Sequence, residues 1–217
     1  QVSAPGMTLL NGVVRKAEGS GGEPVDQRIQ HAVAFLDPKD AILTAIGGLS
    51  GTGKTTLAYG LAPDIGRAPG ARVVRTDVER KALLGILEDA KAPQSAYTKE
   101  AAHAVYQAID RKIQSILAAG HSAIFDAVFA DKQERDAVAT VASRVEVEFQ
   151  GLWLEAPVDV LKSRVKARSS DASDATTAIV DTQLGYDLGR LSWARVDAGG
   201  TYEQTLDNAR KAFAQQN

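Results

Sequence analysis

The chain contains no cysteine, which excludes disulfides, zinc–thiolate sites and cysteine nucleophiles together. It has only three histidines, His31, His103 and His121, and no two of them stand at metal-ligand spacing. Aromatic residues make up 6% of the chain and the formal net charge is −2, a poor basis for a broad nucleic-acid-binding face built from basic charge and stacking rings. No apolar run reaches the roughly 18 residues of a membrane span. Residues 1–6 lack the charged start and apolar centre of a secretory signal. The expected compartment is the cytoplasm, with no membrane partner.

What is present is ordinary globular material. The 217 residues are 44% hydrophobic and 24% charged, enough for one α/β domain and a modest appendage. Residues 1–40 are the least organised part and read as an N-terminal extension or linker. They include a flexible linker, Glu18-Gly19-Ser20-Gly21-Gly22-Glu23-Pro24, and a short helical pattern over 26–36. From residue 41 to 217 the pattern becomes regular. A continuous apolar run predicts a strand over 41–46, and Val73-Val74 and Ala123-Ile124-Phe125 mark strands over 71–76 and 121–128; a fourth is read over 145–154 and a weaker one over 192–196. Between them lie helical patterns. Ala102, Val105, Ile109, Ile113 and Ile116 recur at spacings of three and four, and Gly120 supplies a stop. Asp131 with Glu134 has the form of a capping box opening a helix that carries Val138 and Val141. Pro157 suits the first turn of a helix containing Val158, Leu161 and Val165, and a last helix spans 202–214. Strands alternating with helices predict an α/β fold whose parallel sheet is covered on both faces. Ligands of such sheets bind beyond the carboxyl ends of the strands.

Gly48-Leu49-Ser50-Gly51-Thr52-Gly53-Lys54-Thr55 matches the Walker A pattern without a gap, and Thr56 continues it. A triphosphate needs several inward-pointing backbone N–H groups, and glycines let the backbone wrap that closely. The helix that follows adds free N–H groups and a positive dipole end. Lys54 brings positive charge to the β- and γ-phosphates, and Thr55 offers a hydroxyl ligand to Mg²⁺. An accidental match somewhere in a chain of this length is expected at roughly 1% from average residue frequencies. The cofactors expected are therefore ATP and Mg²⁺. ATP is preferred over GTP because there is no Asn-Lys-x-Asp segment; Thr98-Lys99-Glu100 lacks the closing aspartate.

Three further groups are candidates. Asp77 closes the second predicted strand, where a carboxylate can take the proton of an acceptor hydroxyl; aspartate there equally caps a helix. Arg80 follows one helical turn later, placed to hold the acceptor. Asp126 ends the apolar run Ala123-Ile124-Phe125 and has the form of a Walker B acid, for metal or substrate. Arg164 and Arg168 are four apart on one helix face, as a clamp on the transferred phosphate or as part of a solvated basic face with Lys162 and Lys166. The polar stretch after them has loop composition and suits a lid over about residues 164–175. Trp153 and Trp193 are expected in the core.

Taken together, Ile46 to Thr56, Arg75-Thr76-Asp77-Val78-Glu79-Arg80-Lys81, Ile124-Phe125-Asp126-Ala127-Val128-Phe129 and Gly151-Leu152-Trp153-Leu154-Glu155-Ala156-Pro157 resemble P-loop kinase-like ATPases of zeta-toxin-like type. The resemblance covers roughly residues 41–198. It is nearest to the ATP-binding kinase module found fused behind aminoglycoside phosphotransferase-like domains. It implies a P-loop NTPase three-layer sandwich with strand order 2-3-1-4-5 and a lid between Arg164 and Asp174. It also implies Asp77 as the base that activates the acceptor and Arg164 with Arg168 as phosphate clamps. The chain departs from this pattern at Val128, where such relatives often carry threonine. The function so implied is an ATP- and Mg²⁺-dependent kinase that phosphorylates a small-molecule hydroxyl on a sugar, antibiotic or nucleotide sugar. An adjoining kinase-like domain is a further candidate partner. The alternatives are an ATP-binding regulatory module without an acceptor and a polynucleotide 5′-hydroxyl kinase.

Overall fold

The computed structural model describes residues 39–88, 90–167 and 175–215, with residues 29 and 33 besides. Apart from residues 29 and 33, the helix expected within 26–36 lies outside this description, as does the stretch 168–174. Five strands form one sheet: β1 (Ile42–Gly48), β2 (Arg72–Arg75), β3 (Ala123–Asp126), β4 (Glu148–Glu155) and β5 (Ala194–Asp197). Seven helices are described beside them: α1 (Lys54–Leu61), α2 (Thr76–Leu83), α3 (Lys99–Ala118), α4 (Lys132–Arg144), α5 (Val158–Ala167), α6 (Thr177–Leu184) and α7 (Tyr202–Ala214). The strand order is β2-β3-β1-β4-β5 and every neighbouring pair is parallel, the order 2-3-1-4-5 expected from the sequence.

The apolar runs explain the layering. Successive side chains of a strand point to opposite faces, so a strand covered on both sides must be apolar throughout. On one face Leu43, Ala45, Phe125 and Trp153 meet Val105, Ile109 and Ile113 of α3 and Val138 and Val141 of α4. On the other, Ile46, Ile124, Leu152 and Leu154 meet Leu57, Ala58 and Leu61 of α1 and Ala209 of α7. The stripe expected on α3 is therefore the one that packs on the sheet. Its stop is realised as expected, with Gly120 at φ 74° and its N–H on the carbonyl of Leu117. Asp131 caps α4 by accepting from the Gln133 N–H at 2.8 Å, while the Glu134 carboxylate accepts from the Asp131 N–H. α7 is opened by a full capping box between Thr201 and Gln204.

Several boundaries differ from the sequence expectation. β2 stops at Arg75, so that Asp77 lies in the first turn of α2 and not at the strand end. β5 begins at Ala194, two residues later than expected. The helix α6 was not expected, because it is only eight residues long and follows a polar stretch.

Trp193 and Trp153 are both buried, as expected. Trp193 stacks edge-on against Phe129 at 5.0 Å and lies 6.0 Å from Phe149, extending a row that runs through Phe125 to Tyr106. Its indole occupies the space above Gly151, where an added Cβ would stand 2.4 Å from the ring. Gly151 is thus required by close approach. Gly151→Ala should destabilise the domain by about 1–3 kcal/mol through overpacking, read as a lower urea midpoint at unchanged m-value.

Candidate active site

The parallel register brings the site to one edge. Arg75, Asp126 and Ile46 are consecutive cross-strand partners on β2, β3 and β1, so the residues that follow each of them emerge side by side. The loop after β1 is the Walker A segment. Its backbone is tied to the edge by the Gly48 N–H on the carbonyl of Val128 at 3.1 Å, and it passes directly into α1. Gly51 sits at φ 89°, and a Cβ there would lie 2.5 Å from the Leu161 carbonyl oxygen of α5. Only glycine lets the loop curl at this point while α5 packs against its outer side. Lys54 reaches back over the loop to the carbonyl of Leu49 at 3.1 Å, and Thr52 closes the same carbonyl with its hydroxyl at 2.8 Å.

Thr55 and Asp126, predicted independently from two motifs, meet here: the Thr55 hydroxyl donates to Asp126 Oδ2 at 2.5 Å. Asp126 is buried. Burial pushes its carboxyl above the ordinary value of 3.8; the Lys54 charge, the Thr55 hydrogen bond and Arg75 oppose the rise, and the Asp77 charge adds to it. Arg75 is also buried, with Nε 3.6 Å from Asp126 Oδ2 and a second nitrogen 3.5 Å from Glu88 Oε1. A buried carboxylate of this kind is tolerable because cations flank it.

Asp77 and Arg80 also reach the cleft, but as partners of each other. Arg80 donates to Asp77 Oδ1 at 2.8 Å, and its guanidinium lies 4.7 Å from the centre of the Tyr97 ring. Asp77 is not the N-cap of α2: that position belongs to Arg75, and no side chain caps it.

These residues line one cleft of about 920 Å³ that holds Lys54, Thr55, Arg75, Asp77, Arg80 and Asp126 together. It is within the range of small-molecule sites. The donors suit Mg²⁺: a hydroxyl and a carboxylate, both hard oxygens, in contact at the foot of a phosphate-binding loop. No group of three or more His, Asp or Glu able to hold a metal occurs among the described residues. A cation here would therefore complete its shell with phosphate oxygens and water, as Mg²⁺ does.

Arg164 is placed elsewhere. Its guanidinium donates to the carbonyls of Ala198 and Gly200, both at 2.7 Å, in the turn between β5 and α7. It does not line the cleft. Arg168 lies outside the described residues. Three cleft residues carried no signal that a linear reading could use. Gln183 of α6 accepts the Ser50 N–H at 2.8 Å across a separation of 133 residues. Tyr106 of α3 and Glu134 of α4 are hydrogen-bonded across two helices, and burial raises both, the Tyr106 hydroxyl well above 10.0 and the Glu134 carboxyl above 4.5. The sequence marks Glu134 as part of a helix cap and leaves Tyr106 out of the α3 stripe, and only the fold shows that they face each other.

Gln183 is the described side chain that satisfies the buried Ser50 N–H. Gln183→Ala should cost about 1–3 kcal/mol by leaving that donor unpaired, seen in chemical denaturation, while Gln183→Glu, which keeps the acceptor, should recover most of it.

Comparison with known proteins agrees with this geometry. An uncharacterized protein of Mycobacterium tuberculosis (strain ATCC 25618 / H37Rv) is 32% identical over 191 residues, and an uncharacterized protein of Mycobacterium bovis matches to the same extent. Each match covers 84% of this chain and 35% of the relative, so the chain spans about a third of the length of these curated relatives. Among solved structures, a gluconokinase from Sinorhizobium meliloti superposes with a TM-score of 0.57 at 19% identity, over 82% of this chain and 93% of that one. The tunicamycin resistance protein of Deinococcus radiodurans does so with 0.56 at 18%, over 82% and 96%. These are similarities of fold. The family model described as an AAA domain matches residues 43–186, from the first strand through the P-loop to the end of α6, and the chain belongs to that family.

Proposed function

We propose that the protein is an ATP- and Mg²⁺-dependent phosphotransferase that moves the γ-phosphate to a hydroxyl of a small molecule. One observation carries this reading: an aspartate, Asp77, lines the same cleft as the P-loop lysine and the Thr55–Asp126 pair. The fold likeness to a gluconokinase and to a tunicamycin resistance protein supports a small-molecule acceptor of the sugar, antibiotic or nucleotide-sugar kind.

In this reading residues 48–56 wrap the phosphates, and Lys54 leaves the Leu49 carbonyl to neutralise the β- and γ-oxygens. Thr55 and Asp126 would hold Mg²⁺, and the ion would supply charge neutralisation for the phosphates. Asp77 accepts the proton of the acceptor hydroxyl while its oxygen attacks the γ-phosphorus. The new O–P bond forms as the bond from that phosphorus to the β–γ bridging oxygen breaks, and ADP leaves with the electron pair. Arg80 holds the Asp77 carboxylate in position and so orients the base. β2 and β5 are the two ends of the sheet, so a γ-phosphate directed at Asp77 leaves the base of the nucleotide on the β4–β5 side. In the same proposal Arg164, held here by the turn after β5, and Arg168 are the candidates for the clamp on the transferred group. The zeta-toxin-like character implied by the motifs is part of the same proposal.

A second reading is favoured by one observation, the match to only 35% of the relatives' length. The chain would then be an ATP-binding regulatory module for the remainder of a longer protein. The two separate on product. With labelled Mg-ATP and an acceptor panel, the phosphotransferase places label on an acceptor. Asp77→Asn then lowers the transfer rate by about 10²–10⁴-fold while nucleotide affinity stays within a factor of a few. Lys54→Ala loses both. Hydrolysis without any labelled acceptor, and an Asp77→Asn variant equal to wild type, would support the regulatory module instead.

A further inference from the structure

Gln183 braces the phosphate loop with one end of its amide, while the other end has no described partner. Its Oε1 accepts the Ser50 N–H at 2.8 Å. That N–H belongs to the same peptide unit as the Leu49 carbonyl, which takes the Lys54 ammonium at 3.1 Å and the Thr52 hydroxyl at 2.8 Å. The Leu49–Ser50 peptide is therefore held at both edges. Gln183 has the edge opposite Lys54, and such a lysine meets the β- and γ-phosphates of a bound nucleotide.

The orientation of the amide follows from its chemistry. A backbone N–H bonds only to the oxygen end of a carboxamide, so the NH2 group of Gln183 is the end turned from Ser50. Gln183 is only 7% exposed, and it lines the cleft together with Ser50, Gly51, Lys54 and Thr55. Its amide nitrogen donates to no described group. A nearly buried donor without an acceptor is costly, and a ligand that brings the acceptor removes that cost.

The side chain is also firmly placed. Val180, one turn earlier on α6 and fully buried, shares a small apolar cluster with Leu161 and Val165 of α5, and Leu49 of the loop packs against it. Lys162 of α5 pairs with Asp181 of α6. Thr176 caps α6 by accepting the Ile179 N–H at 3.4 Å. α5 backs the loop from outside at Gly51. The two helices thus grip three successive loop residues, Leu49, Ser50 and Gly51.

Building on the ATP-binding half of the phosphotransferase reading, we propose that Gln183 is a further catalytic residue: its Oε1 keeps the Ser50 N–H while its NH2 group donates to an oxygen of the γ-phosphate. No bond is made or broken at Gln183. Its part is that of a neutral donor fixed before the nucleotide arrives, which needs no reorganisation as the phosphoryl group is transferred.

The test compares the affinity of the full chain for Mg-ADP and for a non-hydrolysable Mg-ATP analogue by calorimetry. Losing the brace on Ser50 weakens both nucleotides, and the ratio of the two affinities cancels that common loss. In Gln183→Met, which keeps the length and neither polar atom, the analogue should lose about tenfold or more relative to Mg-ADP, the scale of a hydrogen bond to a charged group. Gln183→Glu keeps an acceptor for Ser50 and lacks only the donor, so it decides the matter if Gln183→Met folds poorly; the same relative loss or a larger one is expected. A ratio equal to that of wild type in the variant that folds would overturn the proposal and leave Gln183 as a brace alone. The comparison needs no acceptor. A shifted ratio with no labelled product from the acceptor panel would sink the phosphotransferase and keep the γ-phosphate contact; an unchanged ratio with a labelled product would do the reverse.

Discussion

The site depends on the parallel pairing of β3 between β1 and β2. That pairing sets Asp126 level with Ile46 on one side and Arg75 on the other, so the end of β3 opens directly beside the P-loop and beside the start of α2. The Thr55–Asp126 hydrogen bond, the Arg75–Asp126 ion pair and the placement of Asp77 all follow from that one alignment. A slip of one residue would turn Asp126 to the opposite face of the sheet, into the layer of α1 or α3. The apolar faces of β1 and β3 oppose such a slip, because Phe125 and Ile124 would exchange faces with it.

Most of the framework was legible in the sequence because its signals are local. A strand buried on both faces must be apolar, a phosphate loop must be rich in glycine, and a sheet-covering helix must carry a stripe. Residues 42–48, the Walker A segment and Val105, Ile109 and Ile113 satisfy those demands within a few positions of each other. Asp77 and Asp126 were legible as acids at strand ends, although β2 proves shorter and Asp77 falls inside a helix. What could not be read were the pairings between distant elements. Arg80, expected to hold the acceptor, lines the cleft, and its contacts with Asp77 and the Tyr97 ring there were not foreseen. Gln183 meets Ser50 across the fold, and Tyr106 meets Glu134, with no pattern in either segment to announce it. Arg164 shows the same limit from the other side: a basic helix face is visible in sequence, but not that its guanidinium is held by the turn after β5.

At the P-loop end, backbone N–H groups, Lys54 and the positive end of α1 make a setting for phosphate, and the single buried carboxylate there is flanked by Lys54 and Arg75. The same cleft is also lined by Asp131, Glu134 and Asp187 and by the rings of Tyr97, Tyr106 and Tyr186, with Arg80 between Asp77 and the Tyr97 ring. The core beneath it is tightly fitted, with Gly151 under Trp193 and Phe129 against both Phe125 and Trp193.

The most direct measurement is a crystal structure of the protein with Mg²⁺ and a non-hydrolysable ATP analogue. The account predicts the β- and γ-phosphates within residues 48–56, Lys54 moved from the Leu49 carbonyl to phosphate oxygens, the metal on the Thr55 hydroxyl with Asp126 beside it, and the terminal phosphate facing Asp77. A nucleotide bound in this way but with its terminal phosphate turned from Asp77, or with Asp77 sealed from the cleft, would contradict it.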